Sequence, residues 1–124
     1  MAGKSYVSVS LSATTDGGAS VNVNASFSET ISGNVIIHSV QTIGSVSSEQ
    51  VNFPSDLGTP SIVLLRNIGT TYDILISGED EAKVVSYLIR LKPGEAAVFR
   101  LNGNDLYAKG DGGSSDLEYV VVED

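Results

Sequence analysis

The feature that most constrains this chain is a side-chain period of two, interrupted by turns, from residue 5 almost to the last residue. In Ser5-Tyr6-Val7-Ser8-Val9-Ser10-Leu11-Ser12, Val7, Val9 and Leu11 share one face of an extended strand, and Ser8, Ser10 and Ser12 the other. Asp16-Gly17-Gly18 supplies turn residues able to adopt positive φ. Val21, Val23, Ala25 and Phe27 then alternate with Ser20, Asn22, Asn24 and Ser26. This pattern predicts a hairpin with one apolar face and one face of small polar side chains. The polar face carries no charge, which suits packing against another protein surface; an ordinary solvent face is the plainer alternative.

Further strands are expected at Val35–Ile43, Val46–Phe53 (the weakest), Pro60–Ile68, Tyr72–Ser77, Val84–Lys92, Ala96–Leu101, Leu106–Lys109 and Leu117–Glu123. Pro60–Ile68 reads as buried on both faces. Gly, Pro, Asn and Asp clusters separate them, and Lys92-Pro93-Gly94-Glu95 has Pro and Gly where a type II turn wants them. The best helical window, Glu79–Leu88, is weakened by β-branched Val84 and Val85. Short strands with turn signals every 8–12 residues predict an all-β fold. The expected architecture is an antiparallel β-sandwich, jelly-roll-like or Ig-like, preceded by an N-terminal β-hairpin.

A chain of 124 residues is long enough for one domain with a two-layer core. Composition shifts along it: residues 1–60 carry five charged side chains and residues 61–124 seventeen. We read residues 1–124 as a single β domain, with Ser/Asn-rich N-terminal strands in 1–55 and the sandwich core in 56–124. The net charge of −8 argues against nucleic acid as a direct partner, because phosphate contacts need a basic surface, and against a polybasic membrane anchor. Zero cysteines exclude disulfides, thiol catalysis and zinc–thiolate sites. The start, Met1-Ala2-Gly3-Lys4-Ser5, has no apolar leader segment, and no apolar run approaches the roughly 18 residues of a membrane span. The expectation is a protein made in the cytoplasm.

Chemistry-bearing constellations are thin. Nucleophilic hydrolysis needs a base beside its nucleophile, and the one histidine, His38, lies within the apolar strand Val35–Val40. If Val35, Ile37 and Ser39 share a face, His38 lies on the other with Ile36 and Val40. Acidic pairs for glycoside hydrolysis would have to come from turns (Glu79, Asp80, Glu81, Asp105, Asp111, Asp116), where carboxylates are solvated. Gly3-Lys4-Ser5 lacks the preceding glycine-rich loop and following helix of a phosphate-binding motif. Asn102–Asp105 and Asp111–Asp116 are oxygen-rich loops of the kind calcium uses, but neither has EF-hand spacing, and turn chemistry explains both. Arg66, Arg90 and Arg100 each interrupt an apolar strand and are expected in ion pairs within or between subunits. The tyrosines are spread along the chain, as at core edges and interface rims. These readings name no catalytic residue, no cofactor-binding residue and no metal ligand, and so predict a protein that is not an enzyme.

In the C-terminal half, Pro60-Ser61-Ile62-Val63-Leu64-Leu65-Arg66-Asn67-Ile68-Gly69 precedes Tyr72-Asp73-Ile74-Leu75-Ile76-Ser77-Gly78. Leu91–Leu101, containing Leu91-Lys92-Pro93-Gly94-Glu95, comes next, then Leu106-Tyr107-Ala108-Lys109 and Leu117–Asp124. This order resembles small β-sandwich virion proteins of tailed bacteriophages, of the head-decoration, head-fibre or neck type. The resemblance implies a structural virion protein, most specifically a capsid decoration protein that stabilises the head. It implies self-association as a homotrimer and binding to the major capsid protein or another virion protein, with no cofactor, nucleic acid or membrane. A neck, tail or fibre-base component, or a non-catalytic carbohydrate-binding sandwich, stands as the alternative. Nothing in residues 1–55 contributes to the resemblance.

Overall fold

The computed structural model describes residues 3–31, 33, 35–55, 57–79 and 87–123. The chain forms two compact units, residues 1–32 and 33–124.

The first unit is a two-stranded antiparallel hairpin of β1 (Gly3–Thr14) and β2 (Ser20–Ile31). Twelve residue pairs run without a register shift, from Gly3 opposite Ile31 to Thr14 opposite Ser20. The loop closes where the sequence predicts. Gly18 adopts φ 89°, the Thr15 N–H donates to the Ala19 carbonyl, and the Gly18 N–H donates to the Thr15 carbonyl. The strands reach further than their apolar segments, to Gly3 and Thr14 in β1 and to Ser20 and Ile31 in β2.

The second unit contains β3 (Ile36–Ile43), β4 (Glu49–Gln50), β5 (Pro60–Asn67), β6 (Asp73–Ser77), β7 (Ile89–Leu91), β8 (Ala96–Arg100), β9 (Tyr107–Asp111) and β10 (Ser115–Glu123). They make two four-stranded antiparallel sheets, ordered β3-β10-β5-β8 and β4-β9-β6-β7. The pairs β3·β10, β4·β9, β5·β8 and β6·β7 are nested, first with last and inward. That nesting is one long hairpin rolled into two sheets, which is the eight-stranded jelly roll. Of the two sandwich types the sequence allows, the strand order selects this one. β3 and β4 hydrogen-bond into this unit although their composition belongs with the Ser/Asn-rich half.

One apolar core joins the sheets. Ile43, Val63, Leu65, Leu117, Tyr119 and Val121 come from the first sheet; Ile74, Ile76, Leu91 and Ala108 come from the second. The expectation that β5 is buried on both faces holds along most of its length, with Arg66 exposed. Two strands are shorter than expected. Only Glu49–Gln50 of Val46–Phe53 pairs, with Val46 in a bend and almost fully exposed while Val51 plugs the core. Of Val84–Lys92, Ile89–Leu91 pairs; residues 80–86, including most of the Glu79–Leu88 window, lie outside the described residues.

The Lys92–Glu95 turn has the predicted geometry. Gly94 has φ 87°, and the Glu95 N–H donates to the Lys92 carbonyl at 2.9 Å. The turn docks on the end of β5: the Gly94 N–H donates to the Asn67 carbonyl at 2.7 Å, and the Asn67 N–H donates to the Glu95 carbonyl at 3.0 Å. Asn67 is wholly buried and uses its entire side-chain inventory. Its amide donates to the carbonyls of Tyr72 and Leu91, both at 2.9 Å, and its oxygen accepts from Gly69 N at 3.0 Å and Ser115 Oγ at 2.8 Å.

Candidate functional site

His38 points outward from β3 with Ile36 and Val40, as the alternation predicts. Its Nε2 lies 3.0 Å from Oε2 of Glu118 on the neighbouring β10, and the other oxygen of Glu118 lies 3.9 Å from Arg66 on β5. The three strands bring imidazole, carboxylate and guanidinium into one row across the outer face of the sheet. Among the described residues, Glu118 is the hydrogen-bond partner of His38. Nucleophilic catalysis would need a second contact, from the ring to a hydroxyl. Ser39, its neighbour in sequence, points to the opposite face.

Most of the other outward positions of this sheet are apolar, the exceptions being the paired Thr42 and Asp116 and, at the far edge, Arg100. Ile36 is 64% exposed and Val40 52%, and Val120, Val122, Leu64 and Val98 are half-buried. The register sets Val120 opposite both His38 and Leu64, and Leu64 opposite Val98. An apolar field therefore surrounds a nearly neutralised charge row, on a chain that is elsewhere acidic.

The arginines make contacts inside the chain. Arg90 Nη1 donates to Asp73 at 2.7 Å and to Asp111 at 2.8 Å. Asp73 and Asp111 sit opposite one another on β6 and β9, so Arg90 bridges two facing carboxylates. Those hydrogen bonds, first to Asp111 and then to Asp73, hold the Arg90 pKa above its ordinary value. Arg100 donates to the buried Ser61 hydroxyl at 3.1 Å.

The oxygen-rich loops are turns that carry the chain from one sheet to the other, β8 to β9 and β9 to β10, with Gly103 and Gly112 at positive φ. Their carboxylates hold protein partners: Asp105 accepts from Gln50, Asp111 from Arg90, and Asp116 from Thr42. Among the described residues no group of three or more acidic or imidazole side chains is placed to hold a metal ion. Asp80 and Glu81 lie outside the described residues. Tyr119 is buried, donates to the Asn52 carbonyl at 2.8 Å and packs its ring against Phe53. An apolar groove of about 460 Å³, lined by Ile76, Leu88, Ala97, Phe99 and Leu106 among others, opens between β7 and β8. It brings no cluster of titratable groups together.

The hairpin is the feature that sequence reasoning weighed differently. Its uncharged polar face suited packing against another surface, with an ordinary solvent face as the plainer alternative; in the structure the apolar face is open as well. Leu11 is 62% exposed, Val23 55%, Phe27 49%, Val9 45% and Val21 44%. Alternation locates an apolar face but carries no signal of whether that face is covered.

No family model matches the chain, and neither the curated proteins nor the solved structures contain a match.

Proposed function

We propose that this protein is a structural, non-catalytic component of a particle coat, most specifically a decoration protein that stabilises the head of a tailed bacteriophage. One observation carries the reading. Each of the two units presents its own exposed apolar sheet face: Val9, Leu11, Val23 and Phe27 on the hairpin, Ile36 and Val40 on the jelly roll. A binding module that works alone needs one such face. A coat component needs two, one for its own kind and one for the shell. Exposed apolar patches on soluble folds mark interaction sites, and a two-stranded hairpin is marginal in water unless its face is buried. The jelly roll is used for viral coats, though also for lectins and cupins, so the fold supports the reading without choosing it. An acidic exterior would limit sticking to other polyanions once the protein is seated.

The test is co-sedimentation with empty shells assembled from the major capsid protein of a tailed bacteriophage whose genome carries this sequence. The expected result is saturable binding at a fixed ratio to the capsid subunit, with a rise in shell melting temperature. Substituting Val40→Lys, on the edge strand β3 of the outer face, should weaken shell binding at least tenfold while leaving the jelly roll's own melting unchanged. Absence of binding at tens of micromolar protein overturns the decoration reading.

A further inference from the structure

We infer that the apolar face of the hairpin is a pairing surface for a second copy of this chain, the two hairpins stacking face to face with their strands reversed about a twofold axis. This deepens the coat reading by naming the partner of one of its two faces.

Three observations identify that partner. The first is charge. The hairpin's charged side chains are Lys4, Asp16 and Glu29, and all three lie at its ends: Asp16 in the loop, Lys4 and Glu29 at the base. Residues 33–124 hold the other 6 basic and 13 acidic side chains, a net charge of −7 (6 − 13). Two copies therefore repel through most of their surface, while the apolar rungs of the hairpin meet without charge, Glu29 lying on the same face beyond Phe27 towards the base. A strongly charged partner finds nothing there to pair with.

The second observation is the order of side-chain sizes along the ladder. The apolar rungs are Val7 with Phe27, Val9 with Ala25, Leu11 with Val23, and Ala13 with Val21. When the second hairpin is reversed, the bulkiest rung, Val7–Phe27, faces Ala13–Val21, one of the two Val/Ala rungs. The slight rung Val9–Ala25 then faces the fuller Leu11–Val23. Every layer between the sheets receives one larger and one smaller rung, as an interdigitated core requires. With parallel stacking, each rung faces its own copy, so the interface is overfilled at Phe27 and underfilled at Ala25 and Ala13. An isologous contact of this kind closes on itself after two copies.

The third observation is area. In this register residues 6–14 and 20–28 overlap between copies, and about nine residues at about 3.3 Å each, over two strands carrying side chains about 10 Å wide, give a face of about 300 Å² per copy. The total of about 600 Å² lies below the 1,200–2,000 Å² of standard stable interfaces. Pairing is therefore concentration-dependent, with dissociation in the micromolar to high-micromolar range, and it strengthens when copies are held close together on a particle.

Light scattering on the full chain from 5 to 500 μM tests this. The expected result is a mass that climbs from that of the 12.9 kDa chain towards twice that value. Raising salt should strengthen the pairing by screening the repulsion between the acidic jelly rolls. The double substitution Leu11→Thr/Val23→Thr keeps strand-forming, β-branched side chains and removes the apolar rung; it should stay at the single-chain mass throughout. Val40→Thr on the jelly roll should pair like the parent. A second measurement does not depend on that variant folding. In this cysteine-free chain, Val9→Cys and Leu11→Cys proteins are mixed and treated with a short thiol-to-thiol reagent. Reversed stacking sets position 9 against position 11 of the other copy, so mixed pairs should exceed both self-pairs. A single-chain mass at 500 μM overturns the inference. So do a three-chain mass, pairing that survives Leu11→Thr/Val23→Thr, and self-linked pairs in excess. Shell binding by the parent is read separately, so failure of pairing and failure of the coat reading are distinguishable.

Discussion

Replacing Asn67 with Leu isolates the polar junction that locks the jelly roll, because the two side chains match in length and branching while Leu makes no hydrogen bond. The substitution strands four partners: the carbonyls of Tyr72 and Leu91, the Gly69 N–H and the Ser115 hydroxyl. The bonds to Leu91 and Ser115 are buried; those to Tyr72 and Gly69 are only partly so and regain water. At about 1–3 kcal/mol for each stranded buried group, the first two cost about 2–6 kcal/mol. Burying the added apolar surface returns about 1–2 kcal/mol, leaving a net loss of about 1–4 kcal/mol. Against a typical stability of about 5–15 kcal/mol, that is a large fraction of the whole. Urea unfolding followed by far-UV circular dichroism and by tyrosine fluorescence, with buried Tyr119 as a reporter, measures it. With a slope of about 1–3 kcal/mol per molar urea, the midpoint falls by about 1–3 M. Adding Ser115→Ala to Asn67→Leu removes one stranded donor and should recover part of the loss, although Ser115→Ala alone is destabilising. A loss under about 1 kcal/mol for Asn67→Leu, or no recovery in the double variant, refutes the assignment of the junction's strength to these bonds.

Gly94 sits at φ 87° with open space around its α-carbon, so its constraint is backbone conformation alone. Gly94→Val should cost about 1–3 kcal/mol in the same urea assay and Gly94→Asn clearly less, because Asn tolerates the left-handed region; equal losses would point to something else. Gly69→Ala tests the opposite case, since a Cβ there would collide with the Ser115 hydroxyl and sit 3.2 Å from its Cβ. It should lower the melting midpoint by several degrees and weaken the Ser115–Asn67 bond, and an unchanged midpoint would refute the close approach. Arg90→Gln leaves Asp73 and Asp111 facing each other across β6 and β9, so its melting midpoint should fall at low salt and recover towards the parent's in 1 M salt. A salt-independent fall would assign the effect to packing by the arginine stem.

The strands were legible wherever side chains alternate or run apolar and the turn residues demand a specific conformation. The alternation at residues 5–27, the apolar run of β5 and the Pro-Gly turn before β8 each state their structure locally. The failures have a common cause. In Val46–Phe53 the apolar residues at 46, 51 and 53 look like strand positions, yet only Val51 is fully buried, with Phe53 half-buried against Tyr119 and Val46 exposed, because the chain there bends around the rim of the roll. The pairing of β3 with β10 joins residues some eighty positions apart, and nothing local in either strand announces the other. The same holds for the row His38–Glu118–Arg66: each residue was visible, and their meeting depends on the register of three strands.

The motifs behind the resemblance prove to be the parts most occupied with holding the fold together. Asn67-Ile68-Gly69 supplies the amide that ties β5, β7 and β10, and the glycine that lets Ser115 approach it. Leu91-Lys92-Pro93-Gly94-Glu95 supplies the turn whose backbone closes on Asn67 from the other side. One junction accounts for both motifs, so they would recur in any jelly roll closed in this way, whatever that protein binds. Their presence is evidence about the roll and neutral about its partner. The residues that bear on assembly are instead the plainest in the chain, the Val, Ala, Leu and Phe rungs of β1 and β2, which in a string of letters are indistinguishable from a core. The separation has a consequence. A chain that keeps the Asn-x-Gly and Pro-Gly-Glu junction and loses the apolar rungs should build the same jelly roll and lose its pairing; one that keeps the rungs and loses Asn67 should fail in the reverse order, melting before its hairpins part.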